Sequence, residues 1–242
     1  MFRPFAALLI AAFALLSPAA AQNTGADDRG ADATGQAERI ISYFSDIYVA
    51  ADASLHVTET IRVRAAGQNI RHGIYRDIPT QYERDGRVVS AAFTVDGVQR
   101  NDRSEPWRQE ATAGGVRVWI GDAGQEIAPG EHSYVFRYTM THQLDFSSDR
   151  FDELYWNVTG NYWQFPIDAA GARVRLPRPV RFSQISFYTG ASGARGTDAE
   201  IAAQNPGEIV LRTTQPLAEG EGLIILLAWP KNVIHPSEGA SP

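Results

Sequence analysis

The chain has 242 residues, and its 28 acidic residues outnumber 22 basic ones, for a formal charge of −6. That balance gives little electrostatic reason to bind nucleic acid or an anionic membrane surface. It has no cysteine, which excludes disulfides, thiolate metal sites and a cysteine nucleophile, so a domain of this size must be held by its core.

The chain opens on an export signal. Arg3 supplies a short positive start, residues 6–16 form an apolar run, Ser17-Pro18 breaks it, and Ala19-Ala20-Ala21 supplies small residues for cleavage. A membrane span needs about 20 apolar residues, so residues 1–21 read as a cleavable signal peptide with Gln22 as the new N-terminus. Residues 22–37 are small and polar and read as a flexible linker. One globular region is expected over 38–235, with a tail over 236–242. Export without disulfides points to a bacterial cell envelope, periplasmic or otherwise extracytoplasmic.

From residue 40 the apolar pattern has mostly period two. Ile40, Ile41, Phe44 and Ile47 fit a helix, whereas Ile41, Tyr43, Ile47 and Val49 fit a strand; the neighbouring strands decide for the strand. In 54–64, Leu55, Val57, Ile61 and Val63 alternate with polar residues, and Glu59 interrupts their row. In Ile74-Tyr75-Arg76-Asp77-Ile78, Arg76 falls in the row of Ile74 and Ile78. Val116, Val118 and Ile120 alternate with Arg117 and Trp119. Over 131–142 the even face is His132, Tyr134, Phe136, Tyr138, Met140 and His142. Ala172, Val174 and Leu176 alternate with arginines, and 223–229 is apolar throughout, as a central strand would be. Turn signals fall at Asp85-Gly86, Asp96-Gly97, Gly114-Gly115, Pro129-Gly130 and Asn205-Pro206-Gly207. This punctuation predicts an all-β fold, an antiparallel β-sandwich of two packed sheets, with the acidic stretch 145–153 as a place where two lobes would divide.

Four segments together carry a resemblance: Ser54-Leu55-His56-Val57-Thr58-Glu59, Gly73-Ile74-Tyr75-Arg76-Asp77-Ile78-Pro79, Glu131-His132-Ser133-Tyr134, and Leu154-Tyr155-Trp156-Asn157-Val158-Thr159-Gly160. In order and spacing they resemble the extracytoplasmic part of the bacterial predicted-membrane-protein family Domain of Unknown Function 2207. The resemblance implies a signal peptide, an exported β-rich domain and transmembrane helices after it. No helix-length apolar run follows before Pro242, so the chain is expected to be a piece of a longer membrane protein or a free-standing version of the domain. The family has no established activity, so the resemblance implies a place and an architecture but no reaction.

Three sets of residues stand out. Glu59 and Arg76 each put one charge of opposite sign into an apolar row, and a lone buried carboxylate costs several kcal/mol; they are expected to pair across the core and fix strand register. Tyr155, Trp156, Asn157, Tyr162 and Trp163 crowd four aromatics into nine residues. Such rings stack on sugars and such amides bond hydroxyls, so the segment is the candidate ligand-binding surface, although tryptophans plugging a core explain it as well. Asp145, Asp149, Asp152 and Glu153 offer hard oxygens but not an EF-hand spacing, and read as a solvated loop. The five histidines form no ligand motif, and no nucleophile elbow, phosphate loop or dinucleotide fingerprint occurs. No metal, cofactor or catalytic residue is therefore expected. The preferred function is a non-catalytic module contacting an envelope protein or membrane partner, with glycan binding through 155–163 as the alternative and a carboxylate hydrolase as the least supported.

Overall fold

The computed structural model describes residues 37–84 and 87–236, and every regular element among them is a β-strand. The signal segment, nearly all of the 22–37 linker, the Asp85-Gly86 turn and most of the tail lie outside the described residues. In chain order the strands are β1 (Arg39–Val49), β2 (Leu55–Ala65), β3 (Ile74–Pro79), β4 (Gln81–Arg84), β5 (Arg87–Ser90) and β6 (Phe93–Arg100). There follow β7 (Arg103–Ser104), β8 (Trp107–Thr112), β9 (Gly115–Ile120), β10 (Gly130–Met140), β11 (Leu144–Asp145) and β12 (Phe151–Asn157). The last are β13 (Ala170–Arg175), β14 (Gln184–Gly190), β15 (Ala199–Asn205), β16 (Glu208–Thr213) and β17 (Gly222–Pro230).

They form an eight-stranded sheet, β15-β16-β13-β1-β2-β10-β6-β7, a four-stranded sheet, β11-β12-β17-β14, a three-stranded sheet, β3-β9-β8, and the β4-β5 ribbon. The fold is all-β and sandwich-like, with two departures from a simple antiparallel pair of sheets. The large sheet contains one parallel pair, β1 with β13, because the chain completes β2 to β12 before it returns beside its first strand. The β3-β9-β8 sheet is a separate hydrogen-bonded unit beside the other two. One hydrophobic core runs through all three, from Ile47, Leu55 and Ile61 to Val118, Ile120, Leu154, Ile225 and Leu227.

The alternation holds along most strands. In β2 every second residue from Leu55 to Ala65 is buried, Glu59 included. In β1 the buried row is Tyr43, Ser45, Ile47 and Val49, and a register shift between Ile40 and Ser42 buries Ile40 in place of Ile41. The Asp96-Gly97 pair makes no turn. Gly97 faces Arg137 while Val95 faces Tyr138, which leaves Asp96 as the extra residue of a bulge. The acidic stretch 145–153 carries the short β11-β12 pairing of the four-stranded sheet. His142 leaves the β10 row, since its backbone turns to φ 58° beyond the strand end.

Candidate functional site

Glu59 lies in the inward row of β2 and Arg76 in that of β3. Arg76 Nε donates to Glu59 Oε2 at 3.0 Å and Nη2 donates to Oε1 at 3.1 Å, so the guanidinium and carboxylate meet fork to fork. Glu59 is 0% exposed and Arg76 4%. The Tyr138 hydroxyl on β10 donates to Glu59 Oε1 at 2.8 Å, and the Tyr43 hydroxyl on β1 accepts from Arg76 Nε at 3.1 Å. Both tyrosines reach the pair diagonally, because the residues directly opposite Glu59 are Ser45 and Phe136. Further donors of Arg76 go to backbone carbonyls, Nη1 to Asp77 at 3.0 Å and Nη2 to Val158 at 3.3 Å. Trp163 closes the cluster edge-on against the Tyr43 ring, with centroids 6.2 Å apart. Gly160, at φ +74°, lies so close that a Cβ there would sit 2.6 Å from Arg76 Nη1. The cluster thus ties the large sheet to β3 of the three-stranded sheet and to the turn after β12 of the four-stranded sheet.

Burial disfavours the charge on Arg76 most strongly, but the Glu59 carboxylate, joined by Tyr43 and Tyr138, holds the guanidinium well above its usual range. Burial likewise pushes the Tyr43 and Tyr138 phenols well above their ordinary range, and the adjacent Glu59 acts in the same direction while Arg76 opposes it.

The 155–163 segment is built inward. Trp156 and Trp163 are buried, Val158 and Thr159 fully so, whereas Tyr155 is 46% and Tyr162 58% exposed. Asn157 Oδ1 accepts from the Gly160 N–H at 3.0 Å and its Nδ2 donates to Asn161 Oδ1 at 2.8 Å. Asn161 Nδ2 donates to the carbonyls of Gly190 at 3.0 Å and Gly220 at 3.3 Å, and the Trp163 indole donates to Thr159 at 2.8 Å. The amides are therefore spent inside the fold. Between Tyr162, Trp163 and Tyr75, Arg76, Asp77 a cleft of about 10 Å³ remains, room for roughly one water.

The outward face of β3-β9-β8 carries a second constellation. Register sets Tyr75 beside Trp119 and Trp119 beside Arg108, and likewise Asp77 beside Arg117 and Arg117 beside Glu110. Arg117 bonds both carboxylate oxygens of Asp77, at 2.6 and 2.8 Å. Its guanidinium carbon lies 4.1 Å from the Tyr75 ring centre and 5.4 Å from that of Trp119, and Arg108 lies 4.9 Å from Trp119. Glu110 accepts from the Trp119 indole at 3.2 Å and from Arg108 at 3.3 Å. All six residues of β8 are exposed, Trp107 by 42%.

The loop acids do not converge. Asp145 faces Glu153, Asp149 is exposed, and the buried Asp152 takes Lys231 Nζ at 2.8 Å. Among the described residues no three His, Asp or Glu side chains are placed to hold a metal ion.

Residues 39–229 match the family described as predicted membrane protein (DUF2207) N-terminal domain. The chain belongs to this family. The uncharacterized protein YciQ of Escherichia coli (strain K12) is 30% identical over 182 residues, which are 74% of this chain and 28% of YciQ. The chain therefore spans little more than a quarter of that relative's length. Among solved structures, yeast LTA4 hydrolase in complex with bestatin aligns at 7% identity with a TM-score of 0.48, covering 78% of this chain and 28% of that one. An M1 zinc metallopeptidase from Deinococcus radiodurans aligns at 15% identity with a TM-score of 0.43, covering 78% and 42%. Likeness at these TM-scores carries no argument about the chemistry of this DUF2207 domain. Among its described residues no helix is long and apolar enough to cross a membrane.

Residue spacing brings out Glu59 and Arg76 as charges in apolar rows, but not Tyr43, Tyr138 or Gly160, nor the Tyr75–Arg117–Trp119–Arg108 stack. The two tyrosines look like ordinary members of an inward row, and a diagonal contact between strands 33 or 79 residues apart leaves no local mark.

Replacing Glu59 by Gln leaves Arg76 buried without its counter-charge, and the expected loss is about 3–5 kcal/mol of unfolding free energy by urea titration. The double change Glu59→Leu with Arg76→Met is expected to recover most of it; an unchanged midpoint in the Gln variant would refute the coupling. A second expectation concerns alkali. Unfolded tyrosine ionises near pH 10, and the folded pKa of Tyr43 and Tyr138 is raised above that. Their contribution is thus fully present below pH 10 and is lost as pH rises beyond it. The urea midpoint should stay flat from about pH 8 to 10 and then fall, less steeply in Tyr138→Phe.

Proposed function

We propose that this DUF2207 domain is an exported envelope domain, normally linked to a membrane part, which works by binding another protein rather than by catalysis. The supporting observation is the outward face of β3-β9-β8. Its Arg108, Trp119, Arg117 and Tyr75 form an interleaved guanidinium–ring stack, and its last strand, β8, is exposed along its whole length. Trp, Tyr and Arg are the residue types that dominate binding energy at protein interfaces, since each offers a large apolar area with a fixed polar group. Asp77 and Glu110 tie down Arg117 and Trp119, so less side-chain freedom remains to be lost on contact. Export rests on residues 1–21 and on the family's description as a membrane-protein domain. The paired Glu59 and Arg76 serve this reading as a clamp that seats β3, and with it the whole face, on the core.

A second reading, glycan contact through 155–163, is supported by the open rings of Tyr155 and Tyr162. The internal use of both asparagine amides leaves it without the hydrogen-bonding half of a sugar site.

Fractionation of cells expressing the chain should place it outside the cytoplasm, with Gln22 as its first residue by N-terminal sequencing; an intact Met1 on cytoplasmic protein would overturn export. A photoreactive residue at position 119 should yield a defined protein adduct that one at the exposed position 201 does not. Absence of any adduct, together with co-sedimentation with cell-wall sacculi that Tyr162→Ala abolishes, would replace protein contact by the glycan reading.

A further inference from the structure

The order β3-β9-β8 leaves β8 hydrogen-bonded on one side only among the described residues. Its sequence, Trp107-Arg108-Gln109-Glu110-Ala111-Thr112, has no proline and no bulge, two devices that usually protect a sheet edge, and its two charges are opposite in sign, so they repel a like strand only in certain registers. The direction of its backbone groups follows from its pairing with β9. The Gly121 N–H donates to the Pro106 carbonyl at 2.8 Å, so position 106 turns its polar groups toward β9. In an antiparallel ladder this alternates along the strand. Positions 108, 110 and 112 therefore also face β9, and the N–H and C=O groups of Trp107, Gln109 and Ala111 point away from the sheet, into the open edge.

A strand that pairs there must meet those three positions. The charges on β8 then select the strand. Arg108 and Glu110 flank Gln109 on one face, are 58% and 60% exposed, and lean on each other at 3.3 Å. If a second β8 runs antiparallel and centred on Gln109, Arg108 falls opposite Glu110 of the other copy and Glu110 opposite its Arg108. Trp107 falls opposite the small Ala111, and Gln109 lies opposite itself on the two-fold axis. Centring the pair one residue to either side sets Arg108 against Arg108 or Glu110 against Glu110. A shift by half that step matches an outward backbone position with an inward one and loses the hydrogen bonds. The register centred on Gln109 matches the outward backbone positions and sets both charges against opposite ones. Among registers that match the backbone and oppose no like charges, it overlaps the two six-residue strands furthest.

We infer that two copies of this chain associate through β8, joining their three-stranded sheets into one continuous antiparallel sheet of six strands with Gln109 at its centre. The inference rests on reading the β3-β9-β8 face as the contact surface, and it names the partner as a second copy. Such a pairing is isologous, closes on itself and leaves no further open β8 edge, so it stops at the dimer. It adds about six main-chain hydrogen bonds, covers the half-open Trp107 indole, and places the two guanidinium–ring stacks side by side across the axis.

The absence of native cysteine makes the test direct. Opposed residues of a hydrogen-bonded antiparallel pair have Cα atoms about 5.5 Å apart, within the range a disulfide spans. Gln109→Cys in the full chain, purified and oxidised with copper–phenanthroline, should run as a covalent dimer without reductant. Ile201→Cys, exposed on β15 at the edge of the large sheet, should stay monomeric. Adding Arg108→Glu should abolish the dimer, and combining Arg108→Glu with Glu110→Arg should restore it, since the exchange recreates both cross-strand pairs. Sedimentation equilibrium of the same charge variants without the cysteine should follow the same order, which keeps the result readable should Gln109→Cys fold poorly. The inference is overturned by a cysteine variant that crosslinks no better than the position-201 control. It is equally overturned by association that the charge reversal leaves intact or that the double exchange fails to restore. Oxidation in intact cells that joins Gln109→Cys to a different envelope protein would also overturn self-pairing while leaving the contact surface standing, whereas no crosslink at position 109 together with no adduct at position 119 would remove both.

Discussion

The structure depends on one buried ion pair. Glu59 and Arg76 are nearly inaccessible to water, and desolvating two charges is tolerable only where every remaining polar valence is met. That requirement recruits Tyr43 and Tyr138 from the large sheet, the Val158 carbonyl from the turn after β12, and Asp77's own carbonyl. Each comes from a different part of the chain, so satisfying one guanidinium and one carboxylate holds three sheets at a set distance. An apolar contact of equal area would bring the sheets together but would tolerate sliding. A two-pronged pair with four further hydrogen-bond partners does not.

The same constraint explains the segment that looked most like a ligand site. The turn at Gly160 exists where it does because Arg76 Nη1 occupies the space a side chain would need. Asn157 and Asn161 then brace that turn from within, and Trp163 lies against Tyr43. Concentrated aromatics and amides here support a junction, and only Tyr155 and Tyr162 turn outward. The outward chemistry lies one layer away. Alternation along β3 sends Arg76 inward and Tyr75 and Asp77 outward, so the residues that anchor β3 and those that display its face are neighbours in sequence. The rigidity of the inner pair passes directly to the outer stack.

Net charge says little about such a surface. The chain is acidic overall, yet the β3-β9-β8 face alternates sign residue by residue: Arg117 against Asp77, Arg108 against Glu110. A face of that kind has no strong field to steer a ligand from a distance, so any selectivity in the proposed contact would arise at close range, through register.

The all-β class, most strand rows and the two charges that break them are legible in the amino-acid order, because alternation is a local property and a buried side chain must follow it. So are the turns at Gly114-Gly115 and Asn205-Pro206-Gly207, where hairpins close over a few residues. The parallel return of β13 beside β1, the bulge at Asp96, the diagonal tyrosines and the edge position of β8 among the described residues emerge only from the fold. These depend on which strands become neighbours across tens of residues, and strand pairing of that range is set by how the whole core fills. Glu59 and Arg76 were legible as anomalies because each violates its own row. Their partners were not, since a tyrosine in an inward row violates nothing until the charge beside it is in place.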